Sequence, residues 1–263
     1  MPPILRALTP ILLALAVLLA PASAPRAQGA PAELVYLALG DSVPSGTDVS
    51  DGVGYPRRLG QQLADASGRP IRLVNRAVAG ERSAGVLERQ IGDVRALQPE
   101  LVTITVGAND FLIPAYECAV ATIDDNPDTR CSGPSLLRAI PTFERSLRAI
   151  LSQLVNDTGA TIVVTTYFNP FPRGSRCAPA TTDLALRFLN STITDVAAEF
   201  GDRDVTVDLA PLFKGHEGRD PIGWFSPSSI RVMCTDIHPS AAGHDAIAQA
   251  IMDALSPRLA LSQ

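Results

Sequence analysis

Four short stretches hold the residue types that acyl transfer needs. Gly40-Asp41-Ser42 closes an apolar run and places a hydroxyl on a tight turn. A serine there can attack a carbonyl once a base removes its proton. Asp236-Ile237-His238-Pro239 offers that base. The chain has only 3 histidines, so candidates are few. His216 sits in a glycine-rich polar loop, and His244 falls within a helical pattern as a surface or satisfied structural residue. Gly107-Ala108-Asn109-Asp110 supplies a side-chain amide that can donate to a developing oxyanion. Asn109 is equally at home as a turn or capping residue. Ala79-Gly80-Glu81 supplies a backbone N–H that glycine lets approach a ligand closely. Each stretch alone reads as an ordinary turn. Their positions relative to the elements around them give them meaning.

Those elements alternate. Leu34 to Leu39, Ile71 to Val78, Leu101 to Val106, Thr161 to Thr166 and Val205 to Leu209 are short runs that predict strands, the first apolar and the third strongly β-branched. Between and after them, helix spacing runs through Tyr55 to Ser67, Val86 to Leu97, Ser135 to Asp157, Asp183 to Phe200 and Ala241 to Leu255. Ser240 is a plausible N-cap for the last of these. The alternation predicts a parallel sheet covered on both faces, a three-layer α/β/α sandwich with five strands. In such sheets ligands bind beyond the carboxyl ends of the strands. Ser42, Gly80 and Asn109 each follow a predicted strand at that edge, and His238 precedes the last helix.

Taken together, Gly-Asp-Ser near the N-terminus, a glycine after the second strand, Gly-x-Asn-Asp after the third and Asp-x-His-Pro before the last helix resemble the SGNH (GDSL-like) hydrolase family. The resemblance runs from Leu34 to Leu255 and is closest to its secreted bacterial esterases and lipases. It implies a flavodoxin-like α/β/α fold and ester hydrolysis without a cofactor or metal. It also implies Ser42 as nucleophile and His238 as base. The oxyanion hole would be made by the N–H groups of Ser42 and Gly80 and the amide of Asn109. Two positions depart from the pattern. Val43 stands where the family name has leucine, and Thr235 stands three before His238, where the family has its catalytic aspartate. The group that orients His238 is then Asp236, a backbone carbonyl near Thr235, or Asp208 at the end of the fifth strand, with Asp236 preferred. Asp41 is expected to brace the Ser42 turn rather than react.

Composition sets the remaining bounds. The formal charge of -5 comes without any run of Lys or Arg, which argues against nucleic acid and anionic membrane surfaces as partners. Arg6, the apolar run Leu8 to Ala20 and the small residues after it read as a signal peptide over residues 1–27, with residues 28–263 as one catalytic domain. The apolar run is shorter than the roughly 20 residues of a spanning helix. The expected product is an exported monomer with no stable membrane insertion. Cys118, Cys131, Cys177 and Cys234 favour disulfides in that setting. Cys118–Cys131 is preferred because it closes one short polar loop, which leaves Cys177–Cys234. Zinc is the alternative, disfavoured by the lack of any Cys-x-x-Cys pair. Phe168, Phe171, Trp224 and Phe225 fall in loops at the expected catalytic edge, either lining an acyl pocket or packing on the core. A small ester or lipid is the expected substrate. Polysaccharide O-deacetylation and a silent carbohydrate- or lipid-binding protein on the same fold are the alternatives.

Overall fold

Five strands, β1 (Leu34–Gly40), β2 (Ile71–Asn75), β3 (Leu101–Thr105), β4 (Thr161–Thr165) and β5 (Asp204–Val207), form one sheet in the order β2-β1-β3-β4-β5. Every pairing is parallel. The structure is a computed structural model and describes residues 31–112, 133–170, 180–217 and 237–260. The expected signal peptide, all four cysteines, Asp236, Phe171, Trp224 and Phe225 lie outside the described residues. No helix among the described residues is long and apolar enough to cross a membrane.

The central strands are apolar on both faces, as a covered parallel sheet requires. Leu37, Ala38, Leu39, Val102 and Ile104 are fully buried. The polar side chains among them are paired with one another. Tyr36 Oη lies 2.8 Å from Thr103 Oγ1, Tyr55 Oη 2.9 Å from Thr105 Oγ1, and Thr105 Oγ1 2.8 Å from Thr165 Oγ1. This hydroxyl ladder locks β3 to its neighbours just below its carboxyl end.

Chain direction explains the layers. The path steps from β1 to β2 in one direction and from β3 through β4 to β5 in the other. Right-handed crossovers then put the connecting helices on opposite faces. The contacts agree. Helix Tyr55–Ser67 packs on helix Ala241–Ala260, and helix Gly133–Asp157 packs on helix Ala180–Ala198. The reversal lies between β1 and β3, and in sheets of this kind the ligand site lies beyond the carboxyl ends of the strands at that point.

The predicted architecture and all five strands are present, with corrections at boundaries. β2 ends at Asn75 rather than Val78, although Arg76 N and Val78 N still donate to β1, to Ala38 O and Gly40 O. The fifth strand stops at Val207, and Leu209 instead opens a short helix, Leu209–Phe213. The single helix expected over Val86 to Leu97 is three short pieces: Ser83–Gly85, a π-turn Val86–Gln90, and Val94–Leu97. The wider π-turn swings Gln90 inward, where it is buried. The last helix runs beyond Leu255 to Ala260, and Gly243 N donates to Ser240 Oγ at 3.3 Å, as a cap there would require.

Candidate active site

Gly40 ends β1 and faces Thr105 at the end of β3. The two strands therefore finish level, and the turns that leave them start side by side. Gly40 takes φ +129, and a Cβ there would sit 1.9 Å from Thr105 O, so only glycine fits. Its backbone is held twice by one side chain. Gly40 N donates to Gln90 Oε1 at 2.8 Å, and Gln90 Nε2 donates to Gly40 O at 2.9 Å.

Asp41 comes next and is fully buried. Its Oδ1 accepts from Val43 N at 3.1 Å, which caps the helical turn Ser42–Ser45, and its Oδ2 accepts from the Tyr167 hydroxyl. Burial raises the Asp41 carboxyl to about 7, against the downward pull of the Tyr167 and Val43 hydrogen bonds. Asp41 thus braces the turn, as the sequence predicts. Tyr167 is itself fixed, with its backbone N donating to Asn190 Oδ1 at 2.9 Å and its O accepting from Asn190 Nδ2 at 2.8 Å. Ser42 heads the turn and is half-buried. Its N–H stands at the first helical position, where no intrahelical acceptor exists.

The second loop is docked against the first. Val78 N donates to Gly40 O at 3.1 Å, and a tight turn from Val78 to Glu81 places Gly80 at φ +80. A Cβ at Gly80 would meet nothing within 4 Å, so glycine is needed there for its backbone angle and not for space. Among the described residues the exposed Gly80 N–H has no acceptor.

Asn109 joins the third loop to the second by donating Nδ2–H to Glu81 O at 2.9 Å. An amide has two N–H groups, so one remains to donate elsewhere. Asp110 adds two bonds between the same loops, accepting from Ser83 N at 2.9 Å and Ser83 Oγ at 2.6 Å. Glu81, nearly buried, is paired with Arg89 Nη2 at 2.6 Å. The structure therefore brings the turns of Ser42, Gly80 and Asn109 to one sheet edge with donors to spare.

His238 reaches the same turn from the far end of the chain. Its Nδ1 lies 2.8 Å from Asp48 Oδ2, just past the Ser42 turn, with the ring mostly buried. Asp236, the preferred orienting group, and the carbonyl near Thr235 lie outside the described residues. Asp208 is engaged elsewhere: its Oδ1 accepts from Thr166 Oγ1 at 2.6 Å and Ala210 N at 3.1 Å, capping helix Leu209–Phe213. His244 is a buried structural residue rather than a surface one. Its Nδ1 accepts from Tyr55 N at 3.1 Å, and burial pushes its imidazole down to about 4. Phe168 is core, stacked on Phe213 at 4.0 Å between ring centroids. Among the described residues no group of three or more His, Cys, Asp or Glu is placed to hold a metal ion.

Gln90 and Tyr167 carried no signal in the sequence. For Asp48 a hint existed in Gly46-Thr47-Asp48, a short polar stretch directly after the candidate nucleophile.

Comparison with known proteins adds to this geometry. Residues 38–246 match the model of the GDSL-like Lipase/Acylhydrolase family. No curated protein sequence matches the chain. Among solved structures, the lipase Lip_vut3 from a goat rumen metagenome aligns with a TM-score of 0.66 at 18% identity, covering 86% of this chain and 99% of its own. A phospholipase A1 from Streptomyces albidoflavus NA297 aligns at 0.60 and 24% identity, covering 86% and 99%. A variant of an acetyl-xylooligosaccharide esterase from Geobacillus Stearmophilus aligns at 0.59 and 19% identity, covering 84% and 94%. At these identities the structural likenesses speak for the fold.

Proposed function

Since the chain belongs to the GDSL-like lipase/acylhydrolase family and is an ester hydrolase, we propose that it cleaves small carboxylic esters through an acyl-enzyme on Ser42, with His238 as general acid and base. The observation that carries this reading is the convergence of the Ser42, Gly80 and Asn109 turns at one sheet edge, with His238 held to Asp48 just past the first of them.

The steps derive from the groups present. Nδ1 of His238 faces Asp48, which leaves Nε2 as the nitrogen to take the Ser42 Oγ proton as Oγ attacks the ester carbonyl. The carbonyl oxygen gains negative charge. In this reading it accepts from Ser42 N–H, Gly80 N–H and the second Asn109 N–H. The imidazolium returns its proton to the leaving alkoxide. Water then gives a proton to Nε2 and attacks the acyl carbon, and the imidazolium returns that proton to Ser42 Oγ as the Oγ–acyl bond breaks and the acid leaves.

The proposed substrate is a short- or medium-chain ester, acted on by an exported monomer after removal of residues 1–27. The family match supports an ester as substrate, and the signal-like N-terminus supports export. A panel of nitrophenyl esters of increasing chain length, run beside acetylated xylan, tests the substrate. Hydrolysis falling off with chain length is expected. Preference for the xylan acetates would make the protein a polysaccharide deacetylase. The N-terminal sequence of protein recovered from culture medium tests export, with a start near residue 28 expected.

A further inference from the structure

We propose that Asp48 is the positioning residue for His238, accepting Nδ1–H and so presenting Nε2 to Ser42; the inference rests on His238 being the base. The contact is 2.8 Å between Asp48 Oδ2 and His238 Nδ1. An ionised carboxylate can only accept, so Nδ1 must be the donor and the Nε2 lone pair is left for chemistry.

The local chain is built for this contact. Ser42 O accepts from Thr47 N at 3.1 Å and from Ser45 Oγ at 2.9 Å, and Ser45 Oγ lies 2.8 Å from Thr47 Oγ1. The residue before Asp48 is thereby tied to the nucleophile's own backbone. Asp48 then takes φ +61, a left-handed conformation uncommon outside glycine, though one that Asp and Asn adopt more readily than most. The kink turns the carboxylate out of the Ser42 turn and toward the imidazole.

The approach is also imposed from the other side. The loop that carries Asp48 is clasped to the start of the helix after His238. Tyr55 N donates to His244 Nδ1 at 3.1 Å. Arg58 bridges Asp51 at 2.5 Å and Asp245 at 2.6 Å, and its Nε donates to Val53 O at 2.9 Å. With both segments fixed, Asp48 and His238 meet as part of a built corner and not as two wandering surface side chains. The Asp48 side chain is 50% exposed, against 15% for His238. Solvent weakens the pair, so its removal costs less than the roughly 10⁴ in kcat that accompanies loss of a buried triad aspartate.

The test uses Asp48→Asn and Asp48→Gly, which both tolerate the left-handed backbone and both remove the charge. Kinetics are read beside the ¹⁵N spectrum of protein labelled in histidine, with His238 assigned by its loss in His238→Ala. Both Asp48 variants are expected to lose kcat by about 10- to 100-fold with KM little changed. The His238 signals are expected to move from the Nδ1–H toward the Nε2–H tautomer, a change that simple loosening of the loop would not produce. Unchanged kcat and tautomer in both variants would overturn the assignment. So would a tautomer shift in Asp236→Asn without one in Asp48→Asn. His238→Ala separates the two levels of inference. If it abolishes activity while the Asp48 variants are silent, only the role of Asp48 fails. If it retains activity, the base assignment falls and Asp48 with it.

Discussion

Asn109 divides its amide between structure and chemistry, with one N–H on Glu81 O and the other left for the oxyanion. Asn109→Ala should therefore lower kcat by roughly 10²–10³ while circular dichroism and KM change little. A loss confined to KM would place Asn109 in substrate binding instead. This residue was legible in the sequence for the same reason as Ser42 and Gly80: each lies in the short turn that leaves a strand, so local order alone puts it at the right edge. Gln90, Tyr167 and Asp48 were not legible, because the partner of each lies 50, 126 and 190 residues away. A glutamine in an amphipathic pattern looks like any exposed glutamine until the chain tucks it under Gly40. The aromatic loop residues show the converse, since Phe168 at the catalytic edge serves the core through Phe213.

At the level of elements, the nucleophile turn depends on a crossover segment that sequence patterning misread. Apolar spacing from Val86 to Leu97 is continuous enough to suggest one helix. Spacing cannot report the π-turn that inserts a residue and redirects Gln90. That redirection gives the buried Gly40 N its acceptor and gives Gly40 O a second donor beside Val78 N. Gln90→Leu keeps the volume and removes both bonds. Gly40 O keeps the bond from Val78 N, but leaving the buried Gly40 N–H unpaired costs about 1–3 kcal/mol, so a stability loss of that order is expected in urea denaturation, with activity falling as the Ser42 turn loosens. A variant as stable as the parent would mean that water or another side chain replaces Gln90 and that the clamp is dispensable. β1 and β3, by contrast, were legible to within a residue, because both are buried on both faces and read as apolar or β-branched throughout.

At the scale of the whole molecule, buried ionisable groups pull the pH dependence of stability in opposite directions. His244 is held down to about 4 by burial, against 6.5 when free. Between those values the unfolded chain binds the extra proton, so the contribution of His244 is intact above pH 6.5 and is lost as pH falls toward 4. Asp41 and Asp204 are both raised to about 7, chiefly by burial, from 3.8. For them the folded state holds the proton, so their contribution is present below 3.8 and is lost as pH rises through 7. The two effects oppose each other across the acid range, which isolates His244 by difference. Relative to His244→Gln, the parent should gain about 2 kcal/mol of unfolding free energy as pH rises from 5 to 7. Parallel pH profiles would show that His244 does not titrate as a buried neutral group. The global architecture was legible from alternation alone. The clasp of Tyr55, His244, Arg58 and Asp245 that seats His238 was not, because it joins segments almost 190 residues apart.

The central claim is that Ser42 is a nucleophile activated in the folded site. Labelling with a serine-directed fluorophosphonate, then peptide mapping, tests it most directly. The account predicts a single adduct on Ser42, formed in step with loss of esterase activity and greatly slowed in His238→Ala. An adduct on another serine, or full inactivation with Ser42 unmodified, would contradict it.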